Sequence, residues 1–502
     1  MRNKLGSLKV SDTKIISNFR RLTSQCCATG ALGLLLLITG GNFGLPTILI
    51  PALYNSTEMN VTMTDVSWIG SINCISIPIG SAPSGIYIDY FGRRLGVIIM
   101  TIPMFLGWLI LHFADDIFDV LVALTLIGIA CGIVEGPIFM YIAEISETRF
   151  RSALLSTANT AAIVGSFFIV LVGSLVYWRI LVLTYAVLSI VSIFVICLVP
   201  ESPYWLASKA KFEEAKDALS WLRGWATHSN VMEEFCMLGE AFQSTSNSKT
   251  DFKLRSIFLI HNIRNSVKPF LQKSFCMPFM LTTFLFFIHA FNGTSILVYS
   301  VVIFKNINTP IDSYAASVIM GLFNVIGTVL SIIVIPWIGK RKVCFMTTII
   351  PSISLLLASI YILLYNEGHV ADKNLTWIPV NMLFLTILFI AGFNTVPWIF
   401  IGEVFPATLR STGSGIVIAL FYTFSWAINI EYLYMVKEIN FFGSFLFFSV
   451  INFIGCIVLF ILLPETEGKS LEKIQSYFSD NTNIKQSQNN EICGHVDDVD
   501  FM

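Results

Sequence analysis

Residues 89–94 read Asp-Tyr-Phe-Gly-Arg-Arg, and residues 336–341 read Pro-Trp-Ile-Gly-Lys-Arg, each between two long apolar segments. Two more landmarks recur in the same order: an acid seven residues before an arginine (Glu144 and Arg151, then Glu403 and Arg410) and a Pro-Glu turn (Glu201, then Glu465). One basic turn alone would be explained as an anchor on the cytoplasmic side of a membrane. Three landmarks repeated in order predict that the chain contains two related halves.

Composition places these landmarks in a membrane protein. Of the 502 residues, 55% are hydrophobic and only 13% are charged, where soluble domains carry about 25% charged residues. A soluble core could not bury that much apolar surface, so lipid must be the solvent for much of the chain. The net charge of −1 argues against a nucleic-acid partner. The cysteines lie mostly inside apolar stretches, which predicts neither a disulfide framework nor a metal site.

The hydrophobic pattern predicts an all-α integral membrane protein with twelve transmembrane helices, and the repeated landmarks arrange them in two six-helix bundles. The predicted spans are 26–51, 66–88, 94–113, 119–142, 153–175, 178–199, 276–302, 313–337, 343–365, 377–402, 411–434 and 440–463. The corresponding regions are a segment 1–25, a first bundle 26–199, a helical linker 200–275, a second bundle 276–463 and a tail 464–502.

Charge placement predicts the orientation of the chain. Lysines and arginines recur in loops on one side of the predicted spans, and by the positive-inside rule this side is cytoplasmic. Both termini and the linker are then cytoplasmic. The glycosylation sequons at Asn55, Asn60 and Asn374 fall in loops on the other side, which modestly supports this orientation. We expect a monomeric, multi-pass protein of the plasma membrane.

The repeated charges suit a latch that closes the cytoplasmic side when the two halves meet. Carboxylates and arginines at helix ends form strong paired hydrogen bonds, and separating them in water costs only about 0–1 kcal/mol. A weak latch fits a protein that alternates between two states of similar free energy. The residues of this predicted latch are Asp89, Arg93, Arg94, Glu144, Arg151, Glu201, Lys340, Arg341, Glu403, Arg410 and Glu465.

These motifs resemble the sugar porter family of the major facilitator superfamily, and within it the insect facilitated trehalose transporters. The resemblance runs from about residue 30 to 475 and includes Pro200–Leu206, Pro397–Arg410 and Pro464–Ile474 besides the repeated turns. It implies facilitative transport of a sugar, either a hexose or a disaccharide such as trehalose. It implies no cofactor and no enzymatic turnover, and the sequence shows no nucleotide-binding loop or nucleophile constellation.

The resemblance also assigns candidate substrate contacts. A sugar offers hydroxyls and apolar C–H faces, so its site needs amides, hydroxyls and aromatic planes. Several family positions are altered here: a span-five glutamine is Asn159, and the span-seven glutamine motif becomes Ile288 and His289. Intramembrane Ser, Thr and Asn side chains also join helices to one another, and that alternative stays open. The candidates are Asn159, His289, Thr294, Asn324, Asn394, Trp398, Ser425 and Trp426.

Two further departures bear on mechanism. Pro336 stands where the family has an acidic residue, so we expect weaker ion pairing in the second half. The first span has no acid in Gly40–Gly44, where proton-coupled members that resemble this family carry an aspartate, and this favours uniport. Glu135, in the predicted fourth span, is the candidate for proton coupling. The alternatives are a proton-coupled sugar symporter, a carrier of a non-sugar solute and a non-transporting nutrient receptor.

Overall fold

The computed structural model of the chain is built from α-helices. It describes residues 18–54, 59, 61–147, 149–232, 234–236, 272–307, 309–369, 373–405, 410–467 and 477–478. The first half of the chain forms α1 (Asn18–Tyr54), α2 (Met63–Phe91), α3 (Arg93–His112), α4 (Ile117–Ile145), α5 (Arg151–Gly173) and α6 (Trp178–Cys197). Two short helices follow, α7 (Pro203–Ser208) and α8 (Phe212–Leu222).

The second half begins with a helix that is interrupted twice. Its parts are α9 (Lys273–Phe291), α10 (Ser295–Val298) and α11 (Ser300–Asn306). The longer helices are α12 (Ser313–Ile338), α13 (Lys340–Asn366), α14 (Trp377–Val404) and α15 (Arg410–Leu462), with a 3-10 turn at Lys373–Thr376. The span predicted near 276–302 corresponds to the apolar segment Lys273–Val298. Its helix is interrupted after Phe291, and Gly293 in the interruption has a φ of 103°.

The helices agree with the predicted membrane fold. Ten segments of the described chain are long and apolar enough to cross a membrane. One of these, α15, contains a non-helical residue at Asn440 within its 53 residues, so that it makes two spans. With α2, which has 29 residues, the described helices provide twelve spans. The first begins at Asn18, eight residues before the predicted start.

Among the described residues, one compact unit comprises those within 18–42, 79–166 and 177–236. In this unit α1 crosses α5 at small residues: a Cβ atom on Gly40 would lie 1.7 Å from the Ala162 carbonyl oxygen, and one on Gly165 would lie 1.9 Å from that of Leu37. Small residues let helix backbones approach closely where lipid supplies no hydrophobic drive for association. Substituting either glycine would push these two helices apart.

The linker helices pack onto this same unit. Ser202 caps α7 by accepting a hydrogen bond from Trp205 N at 3.3 Å, and Pro203 occupies the first helical position, which favours helix initiation there. Beyond α8, the buried Arg223 donates to the Ile145 carbonyl at 3.1 Å and to a Glu234 carboxylate oxygen at 2.6 Å. The end of α8 is therefore fixed to the end of α4.

A second compact unit comprises the described residues within 43–78, 167–176 and 272–478. Its core packs apolar side chains of α9 against α14, with Leu285 and Ile288 facing Phe393 and Phe400 in one buried cluster. Elsewhere α13 and α15 are joined by reciprocal hydrogen bonds, in which Ser352 and Ser449 each donate to the other's carbonyl at 2.8 and 2.7 Å. Such hydrogen bonds between helices are typical of membrane interiors.

Candidate functional site

The break after α9 places polar backbone and side chains in the middle of a predicted span. Asn292 follows the last helical residue and is fully buried, and its carbonyl accepts a hydrogen bond from Asn452 Nδ2 at 3.1 Å. Thr294 Oγ1 donates to the Ala290 carbonyl at 3.3 Å, within the same chain segment. Discontinuous helices of this kind mark binding sites in transporters, because non-helical backbone in a membrane is tolerated where it lines a cavity or is buried in protein.

An aromatic box surrounds His289, one turn before this break. The His289 ring stacks on Phe421 with centroids 4.7 Å apart and planes 18° apart. Phe286 and Phe393 lie 6.0 and 6.1 Å from it. Trp398 completes the box, edge-on to Phe286 at 5.4 Å. Three helices, α9, α14 and α15, thus present aromatic rings to one another, which suits contact with apolar C–H faces.

Buried polar atoms lie among these rings and on α12. Asn394 lies beside the His289 ring. Within the described residues, no hydrogen-bond partner is found for Asn324 Oδ1 or Trp426 Nε1. Buried polar atoms are nearly always hydrogen-bonded, so these acceptors and donors fit a polar ligand or water.

The structure brings some of the predicted site residues together and not others. His289, Asn394 and Trp398 lie in or beside the aromatic box. Trp426 faces Trp68 of α2, with centroids 6.5 Å apart. Ser425 is buried one turn after Phe421, and Asn324 lies half-buried on α12. Asn159 lies half-buried on α5, and its segment belongs to the other compact unit.

Sequence reasoning missed the phenylalanines of the box. Composition alone does not distinguish Phe286 and Phe421 from the other 40 phenylalanines of the chain. The signal available was the helical spacing: Phe286 lies three residues before His289, and Phe421 lies four before Ser425, spacings that place side chains on one helix face.

The predicted latch residues of the first half form a charge cluster at the start of α3. Arg93 pairs with Glu144 at 3.0 Å and with Asp89 at 3.1 Å. Glu201 accepts hydrogen bonds from the backbone N–H groups of Arg93 and Arg94, both at 3.0 Å. Acidic groups are favoured there because a helix N-terminus carries unpaired N–H groups and a partial positive charge. We call Asp89, Arg93, Arg94, Glu144 and Glu201 the first charge cluster.

The second half repeats this arrangement at the start of α13. Lys340 pairs with Glu403 at 2.5 Å. Glu465 accepts from the backbone N–H groups of Lys340 and Arg341 at 3.2 and 3.1 Å. A further acid, Glu467, lies 3.1 Å from the Lys340 ammonium and was not among the predicted residues. We call Lys340, Arg341, Glu403, Glu465 and Glu467 the second charge cluster. Each cluster forms within its own half of the chain.

The remaining predicted residues are placed as follows. Arg151 begins α5 and approaches the Ser146 carbonyl at 3.5 Å. Arg410 begins α15, but its side chain lies outside the described part of the structure. Asn55 and Asn60 also lie outside the described residues, and Asn374 falls in the 3-10 turn with its side chain undescribed. Glu135 is half-buried on α4, near Cys131.

Asn429 joins several helices in the second compact unit. Its Oδ1 accepts from Ser295 Oγ at 2.7 Å, and its carbonyl accepts from the Tyr299 hydroxyl at 2.9 Å. Its Nδ2 lies 3.7 Å from Cys74 Sγ on α2. Thr47 Oγ1 of α1 donates to the Leu297 carbonyl at 3.0 Å. These contacts hold the later part of α1 and the earlier part of α2 against α10 and α15.

Comparison with solved structures shows the same fold. The chain is similar to the inward-open xylose transporter XylE from E. coli, with a TM-score of 0.69, 17% identity and coverage of 91% of this chain and 100% of that one. It is also similar to the proton:xylose symporter XylE bound to 6-bromo-6-deoxy-D-glucose, with a TM-score of 0.69, 16% identity and the same coverage. The chain therefore shares the all-α fold of these structures.

Sequence comparison gives the family. Residues 40–478 match the model of the "Sugar (and other) transporter" family, and the chain belongs to that family. It is 26% identical to the facilitated trehalose transporter Tret1 of Apis mellifera ligustica over 463 residues, which cover 91% of this chain and 89% of that protein. It is 24% identical to Tret1 of Polypedilum vanderplanki over 474 residues, which cover 94% of this chain and 91% of that protein. The predicted family and the expectation of a transporter instead of an enzyme are confirmed.

Proposed function

We propose that this transporter carries a hexose or a disaccharide such as trehalose by facilitated diffusion. The observation that carries the proposal is the aromatic box at His289, with the side-chain amide of Asn394 beside it. Rings match the C–H faces of a sugar, and neutral donors and acceptors match its hydroxyls. The box bears no carboxylate or lysine, which suits an uncharged solute. The Tret1 relatives, which are described as trehalose transporters, support the same substrate class.

A competition panel tests this substrate class. Uptake of radiolabelled glucose and trehalose is measured in cells that lack their own sugar transporters, with polyols, amino acids and organic ions as competitors. Saturable uptake blocked by sugars alone supports the proposal. Uptake blocked by an ion identifies a non-sugar carrier. Sugar binding without saturable uptake indicates the receptor alternative, which the altered span-seven motif at Ile288 and His289 favours.

Transport is proposed to be passive. The first span has no acid in Gly40–Gly44, and a proton can drive a sugar uphill only through a group whose protonation differs between the two states of the carrier. Glu135 is the remaining candidate for coupling. XylE is described as a proton symporter, so the fold itself is compatible with either mode.

The charged residues are proposed to form the cytoplasmic latch. We also propose that both termini are cytoplasmic and that the protein is a monomer in the plasma membrane. The cations Arg93 and Lys340 are nearly buried in their clusters, at 6% and 5% exposure, and buried charges need close partners. Surface labelling of tags in the loops of Asn55 and Asn374 tests the orientation. Labelling only after permeabilisation would contradict it.

A further inference from the structure

The repeated motifs predict one carboxylate fewer in the second charge cluster than in the first. The two clusters nevertheless contain the same numbers of cations and carboxylates. The first cluster holds two cations and three carboxylates: Arg93, Arg94, Asp89, Glu144 and Glu201. At the position of Asp89 the second half has Pro336, which carries no charge. The second cluster nevertheless holds two cations and three carboxylates, because Glu467 joins it.

The two clusters correspond contact by contact. Glu201 and Glu465 each accept from the first two backbone N–H groups of α3 and α13. Arg94 and Arg341 each donate to a carbonyl at 2.6 Å, those of Cys197 and Phe460. The preceding turns match as well, since Gly92 and Gly339 have φ values of 99° and 92°.

The third carboxylate is the one member that comes from different sequence positions in the two clusters. Asp89 reaches Arg93 from four residues earlier, at 3.1 Å, and is 75% exposed. Glu467 reaches Lys340 across the fold, also at 3.1 Å, and is 32% exposed. The Lys340 side chain is 6% exposed, so its ammonium has little water and needs this second acceptor.

We propose that Glu467 is a positioning residue that replaces the carboxylate missing at Pro336. It holds the Lys340 ammonium toward Glu403, so that the start of α13 stays joined to the end of α14, as Asp89 holds Arg93 toward Glu144 in the first half. Glu467 acts through Lys340 and touches no solute. Its effect on transport rests on the proposed function, whereas its coupling to Lys340 does not.

The first test measures the interaction between Glu467 and Lys340 in the absence of a transported solute. Melting temperatures are compared for the purified protein and for Glu467→Gln, Lys340→Gln and the double variant. Since the two groups interact, the double variant should lose clearly less than the sum of the two single losses. Additive losses would show that the pair contributes nothing and would overturn the proposal. Glu214→Gln is the control, because Glu214 pairs with Lys211 at the surface, where both side chains are exposed.

The second test measures the role in transport. Glu467→Gln should lower Vmax about fivefold, the factor that ~1 kcal/mol gives, while KM changes little. Adding Pro336→Asp restores a carboxylate four residues before Lys340, as at Asp89, and should restore most of Vmax. Asp89→Asn should match Glu467→Gln. A wild-type Vmax in Glu467→Gln, or no rescue by Pro336→Asp at normal surface expression, would overturn the proposal. If the unmodified protein moves no sugar, the proposed function fails, and the melting experiment still decides on Glu467.

Discussion

At the scale of single residues, Asn324 offers the simplest test of the candidate site. Its Oδ1 is buried without a hydrogen-bond partner in the described residues, and a sugar hydroxyl is the donor that fits. Asn324→Ala should raise the KM for the transported sugar about fivefold, since a neutral hydrogen bond contributes ~1 kcal/mol. Asn306→Ala is the control, because that exposed amide donates to its own helix at Val302. Equal KM values in both variants would remove Asn324 from the site.

The two motif glycines provide a second residue-level prediction. Gly92 and Gly339 combine φ values of 99° and 92° with ψ values of 169° and 150°, a region that only glycine adopts easily. Added Cβ atoms would also lie 2.6 and 2.7 Å from Glu201 and Glu465. Gly92→Ala and Gly339→Ala should each destabilise the protein by about 1–3 kcal/mol, measured as a lower melting temperature.

Gly85→Ala is the matched control for this pair. A Cβ atom at Gly85, inside α2, meets nothing within 4 Å, and helical alanine is favoured over glycine by about 0.5–1 kcal/mol. The control should therefore keep or raise the melting temperature. A loss in Gly85→Ala as large as in the motif variants would mean that turn geometry is not the cause.

Among the helices, the contact between Asn429 and Cys74 predicts that an engineered disulfide can join α2 to α15 reversibly. Its Nδ2 lies 3.7 Å from Cys74 Sγ, so Asn429→Cys places a second thiol beside Cys74 on the facing helix. Oxidation should form a disulfide between α2 and α15. Uptake should then fall after oxidation and return after reduction. Asn429→Cys combined with Cys74→Ser should be insensitive to the oxidant, and inhibition there would rule out this lock.

The proposed latch gives a second prediction for helix ends. Glu403→Gln removes the closest partner of Lys340, and Arg151→Ala removes the cation that begins α5. Both variants should lower maximal flux more than they change binding of a ligand added outside, because they alter the balance between states and not the sugar site. Transport at the wild-type rate in both would contradict the latch.

The sequence predicted the repeated elements because their signals are local. Each charged turn contains its own glycine and basic pair, and each span contains its own apolar run, so Arg93, Glu144, Lys340 and Glu403 were found without a structure. The break at Gly293 was missed because the apolar run continues through it. Glu467 was missed because its contact with Lys340 joins residues distant in sequence. The expectation of weaker pairing in the second half remains a prediction, now with Glu467 as an extra partner.

For the molecule as a whole, we propose passive transport of a sugar. The segment Gly40–Gly44 contains no acid that could take up and release a coupled proton. Glu135, half-buried on α4, is the one competitor that we propose to test. Glu135→Gln should therefore leave the direction and end point of sugar movement unchanged, whatever it does to the rate.

Sugar uptake into proteoliposomes with an imposed pH gradient distinguishes passive from proton-coupled transport. We expect saturable entry of radiolabelled glucose or trehalose that stops when the internal and external concentrations are equal, with the same end point after a protonophore is added. Accumulation above the external concentration, abolished by the protonophore and by Glu135→Gln, would contradict passive transport and make Glu135 the coupling residue. Absence of saturable entry for both sugars would contradict sugar transport itself.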